Sequence, residues 1–312
     1  MTKNLCAQSK KVDYCDKYLY LGSWFTDDGK IESALKLHEP AHQDTLNKFS
    51  IFCHVNTEMP FYCKSLVMDA AVTSSILYGC ETWLNNNPRR VIATYNRLIK
   101  YLLSVRKNTS IDMCLIESGK QPAKYVINKR LKTFLEKKMS NRDMEEPFQI
   151  AFEMCKNLNT PGYKFLKKAM DEGNDSNSLE KIVHVMRNKY DATKFVTYKT
   201  ELNPGLVSHG VYTKSVYIPD YKRISFTRLR LMSHNLKIET GRWSRILRDN
   251  RVCLCDGSSI QDEKHVLLVC SLSAHLRQRY TTLSFGCLNN LWRNEDTSNV
   301  CDYIHNVLKL YN

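Results

Sequence analysis

Nowhere does the chain hold an apolar run approaching the roughly 18 residues needed to cross a bilayer. Its first residues, MTKNLCAQSKKVDYCDKYLY, contain no uninterrupted apolar core of the kind a secretory leader carries. Together these absences point to a nuclear or cytoplasmic protein without a membrane partner. The 12 cysteines are then expected as reduced thiols or metal ligands rather than a disulfide framework. There is no glycine-rich phosphate loop, no internal repeat and no long low-complexity tract, and no small-molecule substrate is expected. Acidic residues are in short supply, with 32 Asp+Glu against 46 Lys+Arg, a net charge of +14. An excess of that sign favours polyanionic partners, RNA or DNA first among them.

What is present suits a packed, mainly α protein. At 312 residues and 43% hydrophobic content, about two domains are expected. Residues 12–29 read as a strand and turn: Tyr18, Leu19, Tyr20 and Leu21 precede Asp27-Asp28-Gly29. The aspartate pair sits before glycine in a turn, where Asp is favoured for backbone reasons, so it reads as structural. From Lys30 onward the periodicity is helical. One helix opens at Ile31, Ala34, Leu35 and Leu37 and extends to about Cys53. A second covers Lys64 to Tyr78, with Leu66, Ala70, Thr73 and Leu77 on one face, Val67, Ala71, Ser74 and Tyr78 beside them, and Gly79 at its end. A third carries the stripe Val91, Ile92, Tyr95, Leu98, Ile99, Leu102 and Leu103. Gln121-Pro122 marks the start of a further helix. The polar stretch 171–178 and the segment from Asn203-Pro204-Gly205 to Pro219 read as loop, placing a domain boundary within 171–220.

Basic residues fall in two blocks. Lys124 to Arg142 contains seven Lys/Arg and one Glu; a solvated helix face and a nucleic-acid contact both fit it. Lys222 to Arg251 contains nine Lys/Arg and two acids, with Phe226 and Trp243 interleaved. Cationic side chains track phosphates and exposed aromatics stack on bases, although Trp243 fits a core position equally well.

The second block runs into Cys253, Cys255, His265 and Cys270. Thiolate and imidazole are the ligand types zinc prefers, and four of them close a tetrahedral shell. Gly257 supplies the tight turn a Cys-x-Cys knuckle needs, and Asp262-Glu263 suits a helix start. His265 and Cys270 are five residues apart, more than one α-helical turn, so they converge on one ion only if the helix distorts or ends there. The alternative is that these cysteines are ordinary buried thiols; His275 is a reserve ligand. Cys53, Cys63, Cys80 and Cys114 form no compact pattern, and His184, His209 and His234 are isolated.

Several phrases in order, YLGSWFTDDGKIES, LVMDAAVTSSILYGCETW and RVIATYNRLIKYLL, resemble the region following the catalytic palm of non-LTR (LINE-type) retrotransposon reverse transcriptases. The phrase HNLKIETGRWSRILRDNRVCLCDGSSIQDEKHVLLVC resembles the C-terminal Cys/His domain of such proteins. The resemblance spans roughly residues 18–280 and is weakest over 143–215. It implies a palm-end β remnant over 1–30, a helical thumb-like domain over 31–170, an irregular linker over 171–220 and a basic, zinc-knuckle-like domain over 221–312. It also implies that Arg97, Lys100, Arg106 and Lys107 lie along a template–primer backbone. Arg242, Arg245, Arg248 and Arg251 would then contact phosphates beside the zinc unit.

The chain departs from that family where chemistry is done. No Tyr/Phe-Ala-Asp-Asp tetrapeptide is present, and thumb residues cannot replace the carboxylates that hold two Mg²⁺ ions. No catalytic Mg²⁺ site and no polymerase activity are expected of this polypeptide. Two rival readings stand beside nucleic-acid binding: a part of an active RNA-directed DNA polymerase whose palm lies upstream, and a zinc-dependent protein-interaction module.

Overall fold

The computed structural model describes residues 6–7, 10–11, 14–83, 89–140, 147–172, 178–189, 193–213 and 217–311. Two small antiparallel sheets open the chain: β1 (Cys6–Ala7) with β2 (Lys10–Lys11), and β3 (Lys17–Tyr20) with β4 (Ser23–Thr26). Tyr20 pairs with Ser23, so Leu21 and Gly22 form a two-residue hairpin loop, both at positive φ (46° and 81°) as that loop length demands. A Cβ on Gly22 would lie 2.9 Å from the Tyr78 ring, which seats the hairpin against the helices. Asp28 accepts hydrogen bonds from the Lys30 N–H, Thr26 Oγ1 and Ser33 Oγ. Those bonds, the backbone one foremost, pull its carboxyl down to about 2. Asp27 accepts from Tyr14, so both aspartates are turn residues.

The rest is helical: α1 (Ile31–Val55), α2 (Phe61–Val67), a π turn (Met68–Thr73), α3 (Ser74–Ile76), α4 (Cys80–Trp83), α5 (Arg89–Leu103), α6 (Ile111–Ser118) and α7 (Ala123–Met139). There follow α8 (Pro147–Asn157), α9 (Pro161–Glu172), α10 (Ser178–Arg187), α11 (Thr193–Thr197) and a π turn (Tyr198–Leu202). The C-terminal part holds α12 (Asp220–Arg230), α13 (Lys237–Trp243), a π turn (His265–Val269), α14 (Ala274–Arg279), α15 (Leu288–Trp292) and α16 (Thr297–Lys309). No described helix is long and apolar enough to cross a membrane.

The stripe on α5 is buried as its spacing predicts except for half-buried Ile92, and α1 packs along it. The second helix differs. Thr73 and Leu77 are buried as expected, but Leu66 and Tyr78 face solvent, and Phe61, Lys64, Met68, Val72 and Ile76 complete the buried face. Lys64 is a fully buried cation, so a search for an apolar stripe passes over the true face. Its Nζ donates to the Cys53 carbonyl (2.8 Å) and Asp220 Oδ2 (2.6 Å), while Arg223 Nε donates to Asp220 Oδ1 (2.7 Å). The partner carboxylate lies 156 residues away, beyond any local pattern.

The expected linker also differs. Within 171–220, α10 buries Met186, the π turn buries Tyr198 and Leu202, and the residues after it bury Leu206, Val211, Tyr212 and Ile218, all in the same core that runs from Leu35 to Leu308. The residues 173–177 of the expected loop, and Arg142 of the basic helix, lie outside the described residues. Polar surroundings hid the segment because its polar groups are themselves buried partners. Asn203 donates to Glu117 Oε2 (3.2 Å), Tyr198 donates to the same oxygen (3.1 Å), and Arg230 clasps the Glu117 carboxylate from α12 (2.6 and 3.2 Å).

Buried imidazoles make the fold acid-sensitive. His38 and His42 stack on α1 with centroids 6.0 Å apart. Burial, then repulsion from His38, pushes His42 down to about 4. A histidine with a folded pKa below its unfolded value of about 6.5 contributes stability that is complete above that value and lost as pH falls toward the folded pKa, because the unfolded chain binds more protons in between. The urea midpoint is expected to drop between pH 7.5 and pH 5, and His42→Gln to flatten that drop. Superimposable pH profiles for the two proteins would refute the assignment.

Candidate metal centre and its basic flank

Cys253 and Cys255 sit on a short hairpin closed by an antiparallel bridge between Val252 and Ile260. The Cys253 N–H donates to the Ser259 carbonyl (2.7 Å), and the Gly257 N–H donates to the Cys253 carbonyl (3.0 Å). Gly257 adopts φ +66°, the left-handed turn its sequence position calls for. Asp256 accepts from the Ser258 and Ser259 N–H groups and from Ser259 Oγ, which fixes the loop tip.

His265 enters from a helical turn started by Asp262, whose Oδ1 accepts from the His265 N–H at 2.8 Å. The five-residue spacing to Cys270 is resolved by a π turn over His265–Val269, in which the Cys270 N–H donates to the His265 carbonyl at 2.8 Å. A π turn puts residues i and i+5 on one face. This is the distortion the spacing requires.

The four ligand atoms, three Sγ and one imidazole nitrogen, lie within 4.8 Å of one another. Cys253 Sγ and Cys270 Sγ are 3.7 Å apart, and Cys255 Sγ is 3.2 Å from His265 Nε2. A tetrahedral ion with metal–sulfur bonds of about 2.3 Å sets its sulfurs about 3.8 Å apart, whereas a disulfide brings them to about 2.0 Å. The spacing therefore fits an ion and not a disulfide. Burial, then the Cys270 and Cys253 thiols, push Cys255 up to about 12. Burial also raises Cys270, but hydrogen bonds led by Tyr311 outweigh it and bring that thiol below its ordinary value. Three crowded thiols cannot all ionise beside one another without a cation to offset their charge. The cluster can hold a metal ion, and its donor set is compatible with zinc. His275 is not part of it.

Residues around the cluster that the sequence did not single out hold it in place. The Gln261 N–H donates to the Arg251 carbonyl, Gln261 Oε1 accepts from the Lys237 N–H, and Lys237 Nζ donates to the Val252 carbonyl. The carbonyls of Val266 and Cys270 accept from Ser273 Oγ, and Arg277 Nη2 donates to Cys270 (2.7 Å) and Val269 (3.2 Å). Tyr303 donates to the Leu267 carbonyl. Val266 and Leu267 are fully buried, so the unit is sewn into the main core. Ser271 and Ser273 were the available signal for a capped turn, and nothing local marked Arg277 or Tyr303.

The predicted cationic residues divide into two kinds. Arg245, at φ +55°, and Arg248 are exposed around Ile246 and Leu247. Lys107 is exposed, Arg97 is exposed and donates to Gln43, and Lys100 donates to the Lys107 carbonyl. Arg242 pairs with buried Glu239 at 2.6 Å. Arg251 and Arg106 have tertiary roles that the sequence reading did not give them. The Arg251 guanidinium donates to the Ile238 and Ile246 carbonyls and lies over Gly241, where a Cβ would meet it at 2.7 Å. Arg106 donates to the His234 carbonyl and to Asn235, and stacks 3.9 Å above the half-exposed Trp243 ring. That stack brings the two predicted basic groups side by side and covers one face of the tryptophan.

No protein-family model, curated protein or solved structure matches this chain. What the geometry defines by itself is a mainly helical protein with a Cys₃His candidate metal centre beside a cationic loop.

Proposed function

We propose that the chain is a nucleic-acid-binding protein, related to the C-terminal region of non-LTR retrotransposon reverse transcriptases and without polymerase chemistry of its own. In this reading zinc is the resident ion at Cys253, Cys255, His265 and Cys270, and its role is to hold the hairpin and π turn together. The observation that carries the proposal is the exposed turn from Arg245 to Arg248, set next to that hairpin by the Arg251 clamp. The net charge of +14 supports it. Contacts of this kind go to phosphates and give affinity without sequence choice.

Binding of a fluorescent single-stranded RNA at about 50 and 200 mM salt tests the proposal, since each phosphate contact adds about 0.7 to the logarithmic salt slope on single strands. An Arg245→Ala/Arg248→Ala double variant is expected to bind more weakly and to lose about 1.4 from the slope. Absence of binding at low salt, or an unchanged slope, would overturn it. Leu247 and Leu254, 74% and 81% exposed, favour a protein partner as the second reading; it predicts salt-insensitive binding to a protein instead.

A further inference from the structure

A cavity of about 90 Å³ lies between α12, α16 and the loops that carry Arg106 and Ser233–Leu236. A buried water takes about 10–15 Å³ on this measure, so there is room for a tetrahedral oxyanion. The lining is basic: Arg106, Arg228 and Lys309 contribute with the His305 imidazole, and no carboxylate of a described residue does. The carboxylates nearby are paired elsewhere, Glu239 with Arg242, Asp302 with Lys222, and Glu263 with His234.

The donors point to a missing acceptor. Burial, then the Arg228 charge, pulls the Arg106 pKa down, and burial, then the Arg223 charge, does the same to Arg228. Arg228 donates through Nε to the Ser104 carbonyl at 2.8 Å. Ser225 Oγ lies 2.9 Å from His305 Nδ1, and in the tautomer in which the hydroxyl donates to that nitrogen the ring proton sits on Nε2. That leaves the Nε2–H, which is buried and has no hydrogen-bond partner among the described residues. Ser233 Oγ accepts from the Arg106 N–H, and its hydroxyl donates to no acceptor among the described residues. Like charges converging on a polar void, with an unpartnered imidazole nitrogen, are the inventory of an anion site rather than a packing defect.

We propose that this cavity binds a phosphate group, held by Arg228, Arg106 and Lys309 with Ser233 and His305. The site stands on its own geometry and deepens the nucleic-acid reading only if the phosphate belongs to a strand. Inorganic phosphate, titrated into the full chain in a non-coordinating buffer and followed by calorimetry, is expected to bind, with sulfate competing. Loss of a charge-assisted hydrogen bond weakens binding about tenfold or more, so Arg228→Gln should do so. Lys309→Glu, an exposed change that leaves the fold intact, should do the same. No heat of binding to the wild-type chain, or unchanged affinity in Lys309→Glu, overturns the proposal. A 5′-phosphorylated oligonucleotide binding more tightly than its 5′-hydroxyl twin assigns the phosphate to a strand end. Equal binding of the two assigns it to the free ion. Phosphate binding that survives Arg245→Ala/Arg248→Ala while RNA binding is absent would remove the nucleic-acid reading and leave this site standing.

Discussion

The purified chain is expected to carry one zinc ion, and Cys253→Ser/Cys255→Ser to lose it. Zinc-finger peptides gain about 10–16 kcal/mol on binding at neutral pH. Here Val266, Leu267 and Tyr303 already tie the unit to the core, so part of the fold survives without the ion. Even a quarter of the peptide figure, about 3 kcal/mol, lowers Tm by about 6–12 °C at the scale of roughly 2–4 °C per kcal/mol for domains of this order of size. Chelation of the wild-type chain should reproduce the shift, and the double variant should be insensitive to chelator. Cys63→Ser, at an exposed thiol outside the cluster, serves as the control and should retain the metal. Metal-free protein from a zinc-supplemented preparation, or a double variant that melts with the wild type, would reduce the cluster to neighbouring thiols.

That centre was largely legible in the sequence because its ligands lie within 18 consecutive residues, Cys253 to Cys270. Ligand type, the turn glycine and the helix-opening aspartate are all local signals. Even the awkward His265–Cys270 spacing stated its own requirement, and the π turn meets it. The α5 stripe was legible for the same reason: α-helical period is a property of neighbours. The strand at Tyr18 to Leu21 was read as such, but its pairing with Ser23–Thr26 through the Leu21-Gly22 loop was not. Leu19 and Leu21 are 50% and 73% exposed, an apolar edge with aggregation risk.

What escaped depends on partners far away in sequence. Lys64 reads as a surface residue until Asp220 and Arg223 come to meet it. The segment around Asn203 reads as loop until Glu117 and Arg230 use its polar groups as core. Arg106 and Arg251 read as free phosphate binders, yet each closes a junction: Arg106 joins α5's end to α13, and Arg251 fastens the metal hairpin to α13. A cation in a basic protein carries no local mark of whether its partner is a carbonyl or a phosphate. The exposed pair Arg245 and Arg248 remains available for the latter.

Removing the Glu117 carboxylate is expected to have the larger effect on the fold. Glu117 is fully buried on α6, and its two oxygens accept from Arg230, Tyr198 and Asn203. Arg230 also donates to the Leu202 carbonyl at 2.6 Å and packs its guanidinium between the Phe226 and Trp292 rings. Burial pulls the arginine's pKa down, but the Glu117 carboxylate more than restores it, so the charge is kept inside. Glu117→Ala would leave that charge uncompensated and take an acceptor from Tyr198 and Asn203, a loss of about 3–5 kcal/mol for a broken buried pair. Replacing both partners by Glu117→Gln/Arg230→Met should recover much of it, because an apolar isostere removes the desolvation cost together with the attraction. The hub joins α6, α12 and the Tyr198–Leu202 turn, which the sequence assigned to two domains and the linker between them. Unfolding of Glu117→Ala should therefore remain one cooperative transition at lower denaturant, seen equally by tryptophan fluorescence and by far-UV circular dichroism. A single variant within about 1 kcal/mol of wild type, or two separated transitions, would show that the halves are stabilised independently and that this buried pair does not hold them together.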